Sequence, residues 1–239
     1  NATITASDID NGSTDNCGTP SLSASKTAFT CADIGANTVT LTVTDGSSNT
    51  ATAVSSVTVA DTTAPSAIAQ NITVYLDGSG NASITASDID NGSTDNCSSV
   101  SLSASKTAFT CSDIGTNSVT LTVTDAGSNT ATAVSTVTVA DTTSPTAAAQ
   151  NITVYLNSTG NASITASDIN NGSTDNCGTP SLSASKTAFT CTDVGANTVT
   201  LTVTDGSSNT ATAVSTVTVA DTTTPIASAQ NITVYLDGS

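Results

Sequence analysis

Apolar and polar residues alternate one for one along much of this chain. In "SVTLTVT" (118–124), Val119, Leu121 and Val123 share one side and Thr120, Thr122 and Thr124 the other. That is the pattern of an antiparallel strand with one buried and one wet face. The same reading predicts strands at "ITVYL" (72–76), "ASITASDI" (82–89), "VSLSAS" (100–105), "TAFTC" (107–111) and "TATAVSTVTV" (130–139). "DGSGN" (77–81) and "DAGSN" (125–129) supply the residues that turns favour. No stretch has the 3.6-residue period of an amphipathic helix.

The pattern recurs every 80 residues, and 1–60 differs from 81–140 at ten positions. A period this short means a tandem array of small modules rather than one large domain. "DTTAP", "DTTSP" and "DTTTP" each follow a strand and restart the chain at Pro65, Pro145 and Pro225, which places module boundaries at Asp61, Asp141 and Asp221. The expected organisation is a module lacking its first strand (1–60), two whole modules (61–140 and 141–220) and an orphan first strand (221–239). Such a chain reads as a window on a longer array. Six or seven short strands per module predict an all-β chain of tandem immunoglobulin-like antiparallel sandwiches.

Composition narrows the chemistry. There are 19 Asp, 3 Lys and no Glu, Arg or His, for a formal net charge of −16. Without basic patches or stacking aromatics, nucleic acid is not an expected partner. No apolar run approaches the ~20 residues needed to span a bilayer, so no membrane insertion is expected in this segment. Acidity without bases favours a cation. Lacking His, the chain can hold no Ser/His/Asp set, and no enzymatic role is expected. Thr-x-Thr tracts such as Thr40, Thr42 and Thr44 are explained by strand alternation rather than ice binding.

Two features could staple so thin a core. Each period has two cysteines 14 residues apart, and the equal spacing predicts Cys17–Cys31, Cys97–Cys111 and Cys177–Cys191 as disulfides within modules, formed outside the cytoplasm. Reduced core cysteines are the alternative. The second staple is "SDIDNGSTDNC" (7–17), repeated at 87–97 and, with Asn170 for Asp10, at 167–177. Crowded hard oxygens suit Ca²⁺, although the terminal Glu and flanking helices of an EF-hand are missing. The bland reading is an Asx-rich turn capping its own backbone.

The topology of such a sandwich would bring the linker to this loop and to the last hairpin. Calcium is therefore expected at Asp61 and Asp141 with Asp88, Asp90, Asp95 and Asp125 or their counterparts Asp8, Asp10, Asp15, Asp168, Asp175 and Asp205. Lys26, Lys106 and Lys186 are expected to be solvated or paired with Asp.

"PSAIAQNITVYLDGSGNASITASDIDNGSTDNC", with "VTLTVTDAGSN" and "STVTVAD" after it, resembles the hyalin (HYR) repeat, an immunoglobulin-like adhesion module. Within that family it is most similar to the tandem arrays of SprB-type gliding-motility adhesins of Bacteroidota. The family often has Cys-Pro before the first strand. Here the site reads "AQNITV", so a second disulfide is absent. The resemblance implies an extracellular, cell-surface filament exported by the type IX system. It also implies O-glycosylation at Thr62, Thr142 and Thr222 in "DTT". The expected function is the structural shaft of a repeat adhesin, whose partners are neighbouring modules and an unknown surface or glycan ligand. A laterally assembling, calcium-dependent surface-layer subunit is the alternative, and a glycan-binding accessory module is less favoured.

Overall fold

The computed structural model describes residues 1–97 and 99–237, so Gly238 and Ser239 of the expected orphan strand lie outside the described residues. The chain is all-β, and the period 141–220 shows how it is built. Gly195–Thr204 and Thr210–Ala220 form a long hairpin, from Thr204↔Thr210 at the turn to Gly195↔Val219 at the open end. Ser181–Ala184 joins one side antiparallel. Ile152–Tyr155 joins the other side parallel to the last strand, pairing Ile152 with Val217 and Tyr155 with Ala220. A second layer is the pair Asn161–Ser163 and Ala188–Thr190. The result is the expected two-layer sandwich with a four-stranded and a two-stranded sheet. In 61–140 the four-stranded order is the same, with Ile72–Tyr75 at the edge beside Thr130–Ala140.

The alternation read from the sequence sets which face is buried. Val199, Leu201, Val203, Val217 and Val219 are at most 1% exposed and pack with Phe189, Ile164, Ile169 and Leu156. Shifting the register by one residue would turn this whole set to solvent, so the pairing is firmly specified.

Two departures from the predicted elements have local causes. The second strand ends at Ser163 rather than running on, because Thr165 opens a 3₁₀ turn at Ala166–Ile169. Asp168 Oδ2 accepts from Thr165 N at 2.7 Å and from its hydroxyl at 2.8 Å, which stabilises that turn against the extended form. A second 3₁₀ turn, Cys191–Asp193, follows Ala188–Thr190. Asp193 there receives Thr190 N at 2.9 Å and Lys186 Nζ at 2.5 Å, and the ammonium lies 5.1 Å from the Phe189 ring centroid. Each lysine is therefore paired: Lys26 with Asp33, Lys106 with Asp113 and Lys186 with Asp193.

Compact packing does not follow the sequence period. One unit comprises Asn1–Val74, Ala82–Phe109 and Asp113–Val139. The other comprises Tyr75–Asn81, Thr110–Ser112 and the chain from Ala140 on. The short segments 75–81 and 110–112 are thus grouped with the period that follows them.

Candidate metal centres and disulfides

Three local structures converge at Asp141, Asp175 and Asp205. Asp141 leaves the strand Thr130–Ala140 and folds its own linker into an Asx turn, Oδ1 accepting Thr143 N at 3.0 Å. Asp175 ends the acidic loop, with Oδ2 accepting Cys177 N at 2.8 Å. Asp205 opens the last hairpin turn. Its Oδ1 accepts Asn209 N and its Oδ2 accepts Asn209 Nδ2, both at 2.8 Å. Asn209 Nδ2 also donates to the Asp141 carbonyl at 3.2 Å, tying the linker to the hairpin.

One ligand atom from each carboxylate lies within 4.8 Å of the other two. Asp141 and Asp205 are only 6% and 8% exposed. Asp141 Oδ2, Asp175 Oδ1 and Asn176 Oδ1 are sealed from solvent without a hydrogen-bond partner. A buried acceptor left unpaired costs about 1–3 kcal/mol, more when charged. Like charges about 5 Å apart repel by roughly 3 kcal/mol per pair at an effective dielectric near 20. The lysines, engaged with Asp33, Asp113 and Asp193, do not offset this. Hard oxygens in an irregular cage suit Ca²⁺ better than Mg²⁺, which demands near-octahedral order.

Asp61, Asp95 and Asp125 form the same cluster one period earlier. Asp61 Oδ2 and Asp95 Oδ1 are the orphaned oxygens there. Asn129 Nδ2 again bridges, to the Asp61 carbonyl at 3.0 Å and to Asp125 Oδ2 at 2.8 Å.

The remaining expected ligands lie elsewhere, and each is held by its own backbone. Asp8, Asp88 and Asp168 cap the 3₁₀ turns that start at Ala6, Ala86 and Ala166. The Thr5, Thr85 and Thr165 N–H groups, then their hydroxyls, hold these carboxyls below the ordinary range. Asp10 and Asp90 sit in Asx turns, where the Ser13 and Ser93 hydroxyls lower theirs. For these five the Asx-turn reading is correct and the calcium reading is not. Asp15 keeps the Asp175 geometry, accepting Cys17 N at 2.8 Å, and lines a pocket with Asp45 and Asn49. Asp45 has the hairpin role of Asp205 and was not singled out by sequence, although the shared "TDGSSN" marks it. Thr62, Thr142 and Thr222 are exposed beside the linker aspartates.

The cysteines bond, but across periods. The disulfides are Cys31–Cys97 and Cys111–Cys177, each spanning 66 residues, whereas Cys17 and Cys191 are free and exposed. Pairing within a period is excluded by the hairpin. Cys177 follows Asp175 at the Thr204/Thr210 end, while Cys191 precedes Gly195 at the Val219 end. A ten-residue strand separates them by about 30 Å, and cysteines with Cα atoms beyond ~7 Å cannot bond. Spacing could not decide the matter, because 66 is the complement of 14 in an 80-residue period.

Around Cys111–Cys177 the joint is polar and close. Asn176 Nδ2 donates to the Asp77 carbonyl at 3.1 Å and to Asp141 Oδ1 at 3.4 Å. Gly80, at φ +75°, leaves the space: a Cβ there would lie 2.5 Å from Cys111 Sγ and 3.1 Å from the Asn176 carbonyl oxygen.

No known protein family description matches the chain, and no curated protein matches it. Among solved structures it is similar to protocadherin gammaB7 EC3-6 at 15% identity and TM-score 0.34, covering 78% of this chain and 58% of that one. Sidekick-1 immunoglobulin domains 1–4 give 10% identity and TM-score 0.36, covering 85% and 68%. An endo-fucoidan hydrolase of glycoside hydrolase family 107 gives 14% identity and TM-score 0.29, covering 87% of this chain and 40% of that one. The chemistry of the site accordingly rests on the residues themselves.

Proposed function

We propose that this chain is a segment of the shaft of an extracellular repeat adhesin, with modules 1–60, 61–140 and 141–220 and a further first strand in 221–239. Its role is mechanical rather than catalytic. Disulfides link successive periods, and Ca²⁺ fixes each linker to the module it enters. The observation that carries this reading is the sealed carboxylate trio at the linker, with Asp141 Oδ2 and Asp175 Oδ1 unpartnered. The cross-period disulfides add covalent support and favour an oxidising compartment. Attachment to a cell surface, gliding motility, type IX export and glycosylation at Thr62, Thr142 and Thr222 stand on the resemblance to hyalin-type repeats.

Calcium titration with a chelator control tests the reading. Saturation at a hundredfold over Kd adds about 2.7 kcal/mol to stability, on the order of 10 °C in melting temperature for a module of this size. Ca²⁺ should restore what chelation removes, and Mg²⁺ should not. A melting curve indifferent to chelator would remove the calcium lock. A second reading is contact with glycans through Tyr75 and Tyr155, one per period and each 62% exposed. Replacing both by Ala should abolish binding on a glycan array if that reading holds.

A further inference from the structure

The two ends of this chain are unfinished halves of one sandwich. The stretch 1–60 has the hairpin Gly35–Thr44 and Thr50–Val59 with Ser21–Ala24 beside it, and nothing on the far edge of Thr50–Val59. In 141–220 the corresponding edge carries Ile152–Tyr155. There Ser215 Oγ donates to the Gln150 carbonyl at 2.7 Å, and Thr216 N to Asn151 Oδ1 at 2.7 Å. The counterparts Ser55 and Ser56 have no strand beside them. The missing partner has the sequence "QNITVY", and 230–235 is "QNITVY". That segment is in no sheet, and Ile232, Val234, Tyr235 and Leu236 are 75–95% exposed.

The chemistry beside the strand is divided in the same way. Cys191 is free, 3.7 Å from the Gly160 carbonyl oxygen, as Cys111 is from that of Gly80. At Cys111 the facing position holds Asn176–Cys177. At Cys191 it is an open pocket lined by Asn157, Gly160, Asp221 and Thr223. The loop that would fill it, "TDNC" at 14–17, ends in the other free cysteine. Asp15 and Asp45 likewise lack the linker carboxylate that completes the trios at Asp61 and Asp141. Asp221, exposed and bonded only to Thr223 N at 2.9 Å, is that residue.

We propose that the chain joins a second copy of itself head to tail by donating a strand. Residues 221–237 of one copy complete the module 1–60 of the next, Ile232 opposite Val57 and Tyr235 opposite Ala60, in the parallel register of Ile152↔Val217 and Tyr155↔Ala220. Main-chain bonds supply affinity and alternate side chains supply specificity, as in other strand additions. Cys191 of the donor then bonds Cys17 of the acceptor, and the donor's Asp221 meets the acceptor's Asp15 and Asp45. The disulfide requires an oxidant. With oxidised glutathione, two thiols form one S–S bond, and their two electrons and two protons leave as two molecules of reduced glutathione. The joint is heterologous, so each copy keeps one free half and addition can continue. Strand and disulfide do not depend on the calcium reading.

The test uses Cys17→Ser and Cys191→Ser chains, each keeping one half of the bond, in oxidised glutathione. Either alone should stay unlinked. Their mixture should give a covalent species of two chains whose peptide map contains Cys17–Cys191, and the wild type should give a ladder. An unlinked mixture, or a linked species from either variant alone, overturns the proposal. Adding Ile232→Asp and Val234→Asp to the Cys17→Ser chain changes only exposed residues outside any sheet, so the fold survives. The yield with Cys191→Ser should then fall at least tenfold, and an unchanged yield overturns the donated strand.

Discussion

The stretches 1–60 and 161–220 differ at five positions, yet one is sealed and the other is not. Phe29 and Phe189 are both 1% exposed, Val39 and Val199 both 0%, and Leu41 and Leu201 3% and 0%. The difference lies further out. Val203, Val217, Val219, Ser215 and Ile169 are at most 1% exposed, whereas Val43, Val57, Val59, Ser55 and Ile9 are only half-buried. What separates them is the segment 141–156, whose Ala147, Ala149, Ile152, Val154 and Leu156 pack on the later core. The hairpin and its phenylalanine therefore form a centre that holds without the first strand, and the first strand closes one edge of it.

The largest test of this division acts on the centre. Phe189→Ala and Phe29→Ala should each cost about 3–5 kcal/mol, because both rings are equally buried. Urea denaturation of the two variants checks this, and a much smaller loss for Phe29→Ala would mean that the centre itself needs the first strand. Next comes the covalent joint. Cys111→Ser opens a 66-residue loop, worth about 4 kcal/mol in the chain-entropy model. Its effect should appear in 141–220 and leave 1–60 untouched, as hydrogen exchange by mass spectrometry would show. Removing the edge is the direct comparison: Ile152→Asp with Val154→Asp should cost on the order of 3 kcal/mol. Exchange at Val217 and Val219 should then rise to that of Val57 and Val59.

These contrasts mark how far the sequence could be read. Strands, turns and the 80-residue period were legible because alternation and Gly/Asn/Asp turns are local signals. The linker–loop–hairpin trio was also legible, since sandwich topology brings Asp61, Asp95 and Asp125 to one end. The disulfide partners were not, because in a perfect repeat every spacing has an equally regular complement. Nor were the roles of Asp88 and Asp90. A cap, an Asx turn and a calcium ligand all use a short side-chain oxygen near turning backbone. Only the positions of neighbouring N–H groups separate them. The 3₁₀ turns, three or four residues long, leave no periodicity to detect.

Two smaller effects sharpen the comparison within the loop. Asp8→Ala and Asp168→Ala should each cost about 1 kcal/mol, the usual loss for a cap, and equally, since both sites make the same bonds to Thr5 and Thr165.

The smallest effect concerns acid. Asp10 is held below the ordinary carboxylate range chiefly by the Ser13 hydroxyl, and Asp90 by that of Ser93. A carboxyl whose folded pKa is depressed adds stability above its unfolded value, near 3.9. That contribution is lost as pH falls through the lower folded value. These loops should therefore loosen only below about pH 4. The third copy has Asn170 at this position, accepting Ser173 N at 3.1 Å and its hydroxyl at 2.6 Å. An amide keeps both bonds in acid. Between pH 5 and 2 the amide resonances of Ser13 and Ser93 should shift and that of Ser173 should not. Asp10→Asn should make Ser13 behave like Ser173 without changing stability at neutral pH. If Ser173 titrates with the other two, the acid response comes from the neighbouring cap at Asp168, and the hydroxyl-to-carboxylate bond at Asp10 is not its source.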